Sequence, residues 1–569
     1  MSRVTRVATT EVDAEDSAVG SPEEDARPVR HPRYTLPGLA GALVFVCLSL
    51  SPSLLPRTGL IQGLVCGITG AIGYGIGVLV AWVWRAFVDR DPRPAGRRSW
   101  QIFAVVAAAS LVAALALGRY WQGRIRELLG MPPDGLASLV VVPLVAILVL
   151  VVLVGLGRAL RHVYRWAAAQ LGRWIGARAA RAVGWIAVAT GTTLLVSGVL
   201  LDGIVAAADA AFSVRNGTTE AGVVQPAAPE RSGGPGSLVS WTSLGQQGRS
   251  FTGTGPSVAE LEAFRGAPAR IPVRAYAGLE SAGSAEQRAH LAVDDLARAG
   301  GFERGTLVVA TATGSGWVDP GAVDSVEYMT GGDTATVSMQ YSYLPSWLSY
   351  LVDQDRAREA GRELFDAVYD RWSKLPVTHR PALVVVGESL GSFGGETAFS
   401  GEYDLRNRTT GAVFAGPPNF NTLYREFVDG REAGSPEVTP VYRDGRTVRF
   451  STDPRLGVPP QDMPADGPRV LYVQHASDPI VWWSPRLLLH RPDWLAEPPG
   501  DDVVGSVRWL PFVTFWQVSA DLPFAVEVPA GHGHVYTHEY VDAWAWVLRP
   551  PGWTEHDAAA LRAIVSPSG

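Results

Sequence analysis

A single lysine, Lys374, and only two cysteines, Cys47 and Cys66, stand in a chain of 569 residues. Both cysteines lie in apolar stretches near the N-terminus, so the C-terminal two-thirds has neither a disulfide nor a cysteine-based metal site. Basic charge is nearly all arginine and is not in excess. The net charge of −6 gives no reason to expect a nucleic-acid partner. Carboxylates and lysine are missing from the middle of every long apolar run; Asp202 stands near one end of the last. An ion-coupled transporter places ionisable groups at depth, so this absence argues for an anchor or a lipid-facing platform over a pump.

Long apolar runs are plentiful, and the mean hydropathy is positive. After a polar segment at 1–35, expected to be disordered and cytoplasmic, runs occupy about 37–55, 61–84, 101–118, 137–157 and 183–205. Each has the roughly 17–25 residues that cross a bilayer as a helix. The expectation is a five-helix transmembrane domain over 36–208. Arginines crowd the second and fourth connections, among them Arg85, Arg97 and Arg98, then Arg158, Arg161 and Arg165. The positive-inside rule puts those connections in the cytoplasm and everything after about 208 outside it. A Gly/Pro/Ser/Ala-rich stretch within 209–250 reads as a flexible linker.

From 251 to 555 the period changes. Apolar strand-like runs (271–279, 307–312, 336–341, 383–386, 412–415, 470–474) alternate with helical patterns at about 285–299, 353–374 and 538–548. This alternation implies a mostly parallel sheet flanked by helices. Residues 556–569 read as a tail.

The chemistry is expected at Gly387-Glu388-Ser389-Leu390-Gly391, directly after four apolar residues. A G-x-S-x-G between strand and helix is the nucleophile elbow of α/β-hydrolases, where flanking glycines relieve a turn too tight for side chains. The fold runs Ser, then Asp or Glu, then His. Asp478 follows the apolar strand at 470–474 and is the candidate acid. His534 is the preferred base, on a Gly-rich loop before the last helix and chosen for its His-x-Tyr spacing to Tyr536, with His532 as the alternative. The oxyanion hole needs two backbone N–H groups. One is expected from Leu390, the other from Thr313, Gly314 or Ser315, in a loop after the strand at 307–312. Segments 419–466 and 482–524 are long enough to cover a site, and the second is rich in aromatic residues.

Several short motifs occur together: Pro52-Ser-Leu-Leu-Pro-Arg57, Gly73-Tyr-Gly75, Thr313-Gly-Ser-Gly-Trp-Val-Asp-Pro320, Gln340-Tyr-Ser-Tyr-Leu-Pro-Ser-Trp347, the elbow, and Gly531-His-Gly-His534. In these the chain resembles a bacterial, actinobacterial-type family of multi-span membrane proteins with a C-terminal α/β-hydrolase domain. The resemblance spans about 37–550. It implies a serine hydrolase with its nucleophile at the elbow serine and brings no substrate with it.

The reading is a membrane-anchored extracytoplasmic serine hydrolase acting on lipid or cell-envelope esters through a Ser-His-Asp triad and an acyl-enzyme. An acyltransferase on the same triad, or a non-catalytic lipid-binding membrane protein, are the alternatives. No cofactor, metal or nucleic acid is expected.

Overall fold

The computed structural model describes residues 34–89, 95–174, 176–194, 198, 201–456 and 467–565. The expected disordered segment at 1–35 lies almost wholly outside them.

The N-terminal part is helical: α1 (Leu36–Ser49), α2 (Gly59–Val88), α3 (Arg97–Leu128), α4 (Ser138–Leu171), α5 (Ala177–Leu194) and α6 (Leu201–Asn216). Three of these, α2, α3 and α4, are long and apolar enough to cross a membrane. The expected five are thus not shown among the described residues. The first apolar run yields an α1 of only 14 residues, because the chain leaves the helix at Leu50 and turns toward the C-terminal domain. The fifth run is described only in part, as α5 and α6; residues 195–197 and 199–200 lie outside the described residues. Glycines along α2 let α1 and α4 pack closely on its two sides.

The C-terminal part is built on seven strands: β1 (Val273–Ala277), β2 (Thr306–Thr311), β3 (Thr334–Met339), β4 (Ala382–Glu388), β5 (Gly411–Ala415), β6 (Val448–Ser451) and β7 (Arg469–Val473). Their order is β1-β3-β2-β4-β5-β7-β6, and every pairing is parallel. The strands read as continuous apolar runs because both faces of the sheet are covered. Side chains alternate between two cores. Leu383 and Val385 join one with the helices Ala285–Arg298 and Gln354–Trp372, while Val384 and Val386 join the other with Pro320–Thr330, Glu539–Leu548 and Glu555–Val565. The last of these helices occupies the stretch expected to be a tail; its Leu561 is fully buried.

Two more expectations are corrected. Residues 217–250 are not a loose tether. Ser232 donates its N–H to Arg274 O at 3.0 Å, and Arg274 N–H reaches Glu230 O at 3.1 Å. The segment thereby covers the edge strand β1, whose ladder groups would otherwise be unpaired. Within 419–466, expected only as cover, Val448–Ser451 is an edge strand beside β7; residues 457–466 lie outside the described ones.

The aromatic segment 482–524 packs between the sheet and the first helical connection. Its helix Val513–Asp521 carries Gln517, whose side chain donates to the carbonyls of Ser49 and Ser51. Asp521 forms a fully buried ion pair with Arg57. Leu54 and Leu55 lie in the same core cluster as Trp482 and Trp494. The N-terminal helices and the C-terminal domain thus share one interface.

Candidate active site

The order in which strands are added reverses between the parallel neighbours β2 and β4: β3 lies to one side of the pair and β5 to the other. At such a switch point the loops after the two strands diverge and leave a crevice. The loop after β2 carries Thr313, Gly314 and Ser315; the turn after β4 carries Ser389.

Ser389 has φ 54° and ψ −127°, a backbone conformation that non-glycine residues rarely adopt. The surroundings enforce it. Its N–H donates to Ala415 O at 3.0 Å. A Cβ at Gly387 would lie 2.4 Å from the Gly391 carbonyl carbon, and one at Gly391 would lie 2.2 Å from Thr311 O. The turn therefore closes only with glycine at both positions. Leu390 opens the helix Leu390–Glu396, where a backbone N–H has no intrahelical acceptor and points outward.

Asp478 stands five residues beyond β7 and caps the short helix Pro479–Trp482, its Oδ1 accepting from Ile480 N–H at 2.8 Å. Its other oxygen, Oδ2, lies 2.6 Å from His534 Nδ1 and accepts from Tyr536 Oη at 2.7 Å. The carboxylate is fully buried. With the ring proton on Nδ1 facing a carboxylate, Nε2 carries the free lone pair. That Nε2 is buried and makes no hydrogen bond, so Ser389 Oγ and His534 Nε2 are not bonded in this arrangement. The ring is nonetheless beside the elbow: a Cβ on Gly416 would lie 2.4 Å from His534 Cε1. Gly416 follows Ala415, whose carbonyl holds Ser389.

His532 goes elsewhere. Its Nδ1 is 3.9 Å from Asp502 Oδ2, and its side chain is more exposed than that of His534. Of the two histidines, the structure joins only His534 to Asp478.

The loop after β2 is divided. Thr313 N–H is committed to Trp317 O at 2.9 Å, which removes it as an oxyanion donor. Gly314 and Ser315 stay available. Over them sits the helix Ser346–Val352: a Cβ on Gly314 would fall 2.4 Å from Ser349 Oγ. Ser389 is only 3% exposed, so the crevice is closed. Tyr350 of the covering helix contacts Phe420 at 4.9 Å and Trp483 at 5.7 Å between ring centres. Trp483 in turn donates to Ser519 Oγ on the helix Val513–Asp521.

Some groups at the site were not singled out from sequence. Tyr536 sits two residues past His534, holds Asp478 and stacks on His475 at 4.2 Å. Its His-x-Tyr spacing was the signal, though it served only to choose the histidine. Glu388, just before the serine, is buried against Tyr540 Oη at 2.8 Å. Burial, with Asp319 nearby, holds its carboxyl well above the usual range; burial likewise pushes Asp319 up to about 6. Among the described residues no group of three or more His, Cys, Asp or Glu is placed to hold a metal ion.

Comparison with known families decides the assignment. A family model described as an alpha/beta-hydrolase family matches residues 273–561, just over half of the chain. The chain belongs to that alpha/beta-hydrolase family. A companion model, for the N-terminus of the same alpha/beta-hydrolase family, matches residues 50–256. Its range takes in the Arg57 loop and the segment lying along β1, so the parts that dock on the hydrolase domain belong to the family pattern. No curated protein and no solved structure matches the chain.

Proposed function

We propose that the protein is a membrane-anchored serine hydrolase that cleaves carboxylic esters of lipids or cell-envelope components. The observation that carries this is the Asp478–His534 pair, with its unpartnered Nε2, beside a serine held at positive φ in a strand-to-helix elbow. Ser389 Oγ attacks the ester carbonyl while His534 Nε2 takes its proton; the Oγ–C bond forms as the carbonyl oxygen becomes an oxyanion. Leu390 N–H, with Gly314 or Ser315 N–H, receives that charge. As the oxyanion collapses, the bond to the alcohol breaks and His534 returns its proton to the leaving oxygen. Water, deprotonated by the same histidine, then releases the acid and restores Ser389. Asp478 keeps the imidazole in the required tautomer and stabilises its cation.

The buried nucleophile means that the cover formed by Ser346–Val352 and its aromatic neighbours must move before substrate reaches Ser389. Multi-pass anchoring with the hydrolase domain outside the cytoplasm is supported by the arginine-rich second and fourth connections. The first connection, poor in arginine, docks on the hydrolase domain. The test is labelling of the full chain by a fluorophosphonate probe, with turnover of a soluble nitrophenyl ester. Ser389→Ala is expected to abolish both. Undiminished labelling in that variant overturns the assignment.

A further inference from the structure

The 32 residues of α3 extend about 48 Å, well beyond the roughly 30 Å of a hydrocarbon core. The apolar part ends near Leu117. Beyond it come Arg119, Tyr120, Trp121 and Arg124, residue types that settle at the headgroup level of a bilayer. This end of α3 is also the end that meets the hydrolase domain, because Ile125 is buried in the same cluster as Leu54 and Leu55.

Between this end of α3 and the neighbouring α2 and α4 lies a cavity of about 570 Å³, within the range of sites that hold small molecules. Its lining is of two kinds: the apolar Leu50, Leu115, Leu139 and Val142, and the cationic Arg119 and Arg124, which lie beyond the apolar part of α3. A second cavity of about 640 Å³ shares Tyr120, Arg124 and Glu127 and runs on to Val503 and Val504 of the hydrolase domain.

Two carboxylates line the cavity with these arginines: Glu127 pairs with Arg124, and Asp134 accepts from Gly135 N–H, so neither is spent on Arg119. Arg119 donates to two backbone carbonyls, those of Asp134 and Gly135, at 3.3 Å each. Among the described residues no carboxylate pairs with it. Among the described residues Arg124 is held by Glu127 alone, in an exposed i,i+3 pair of the kind that contributes little and yields to a better anion. A guanidinium whose donors are spent on neutral carbonyls keeps its charge, and phosphate is the anion whose geometry it matches.

We propose that this cavity seats one acidic phospholipid of the surrounding bilayer. Its acyl chain lies against Leu50, Leu115 and Val142, and its phosphate lies at Arg119 and Arg124. The site is separate from the proposed reaction and stands whether or not Ser389 is a nucleophile. A lipid held there bridges the helices and the hydrolase domain at the second cavity.

The test uses the full chain in lipid nanodiscs and a phosphatidylglycerol carrying a photoreactive group in its acyl chain. Crosslinks are expected within 115–142, displaced by unlabelled phosphatidylglycerol and not by inorganic phosphate or glycerol phosphate. Gly123 borders the cavity, and a Cβ there meets nothing within 4 Å. Gly123→Trp therefore fills the space without a backbone clash and should cut crosslinking at least tenfold, with thermal unfolding unchanged. Arg119→Gln should weaken capture of phosphatidylglycerol more than that of phosphatidylcholine, whose phosphate charge is already offset by its own ammonium group. Equal crosslinking by the two lipids, displacement by free phosphate, or full crosslinking in Gly123→Trp would each overturn the proposal.

Discussion

Replacing Arg57 with methionine strands the Asp521 carboxylate. In the native arrangement that group is fully buried and accepts from Arg57 Nε at 2.7 Å, Arg57 Nη2 at 3.2 Å and Ser53 Oγ at 2.7 Å. Burial pushes its carboxyl up; Arg57 and Ser53 pull it back and keep the anion tolerable. Removing one partner of a buried pair costs about 3–5 kcal/mol. Protonation sets a ceiling on that cost. Neutralising a carboxyl of ordinary pKa costs about 1.4 kcal/mol per pH unit above that pKa, hence about 4 kcal/mol at pH 7 and about 1.5 kcal/mol at pH 5. Arg57→Met should therefore destabilise the docked state by about 3–4 kcal/mol at pH 7 and by roughly half of that or less at pH 5. Arg57→Met/Asp521→Leu should recover most of the loss, since an apolar pair avoids the desolvation that the ions suffer. Thermal unfolding of nanodisc-embedded protein at the two pH values measures this. A deficit below about 1 kcal/mol, unchanged between pH 7 and pH 5, would refute the reasoning, because that is how an exposed pair behaves.

Tyr536→Phe removes one of two donors to Asp478 Oδ2. It should lower kcat/KM on a soluble ester by roughly tenfold and, by making the carboxylate a stronger partner for imidazolium, move the acid limb of the pH profile upward; a proportional loss at every pH would mean a packing effect only. His534→Ala should reduce ester turnover by roughly 10³-fold or more, while His532→Ala stays within a few fold, as measured side by side with a nitrophenyl ester. Burial pushes Glu396 from its ordinary 4.5 up to about 7, against hydrogen bonds from Asn421 and Tyr424 N–H. The folded state then holds a proton that the unfolded chain gives up, so this contribution is complete below about pH 4.5 and lost as pH rises to about 7, some 3 kcal/mol in all. Stability curves of the wild type and Glu396→Gln should diverge over that window, and parallel curves would show that Glu396 is ionised.

What was legible in the sequence was legible because its cause is local. Gly387 and Gly391 are dictated by contacts within a few residues of Ser389 and by the neighbouring β2, so five residues after an apolar strand announce the turn. Asp478 was legible by its position past a strand. The choice between His532 and His534 turned on a spacing to Tyr536, and the structure gives that spacing a cause: His534 and Tyr536 both reach Asp478 Oδ2. Non-local pairing was not legible. Nothing in the Gly/Pro-rich stretch near 230 says that its backbone will cover the edge of β1, and a four-residue β6 containing Arg449 does not look like a strand until Trp546 is placed under its guanidinium.

The first of the five expected spans is shorter among the described residues than its apolar run, for an instructive reason. The run at 37–55 has the length and apolarity of a span, and composition cannot say what an apolar residue is buried against. Here α1 supplies the first part, while Leu54 and Leu55, each 1% exposed, are buried in the hydrolase core cluster. Their apolarity serves a protein interface, with Ser53 and Arg57 supplying its polar fixings on Asp521. The same residues that lengthen the apparent span are therefore the ones that fix the helices to the segment over the crevice at Ser389. Through Ser519 and Trp483 that segment reaches Tyr350 on the helix covering the Gly314 loop. The contacts therefore run unbroken from the first helical connection, through the helix Val513–Asp521 and Trp483, to the helix that covers Ser389.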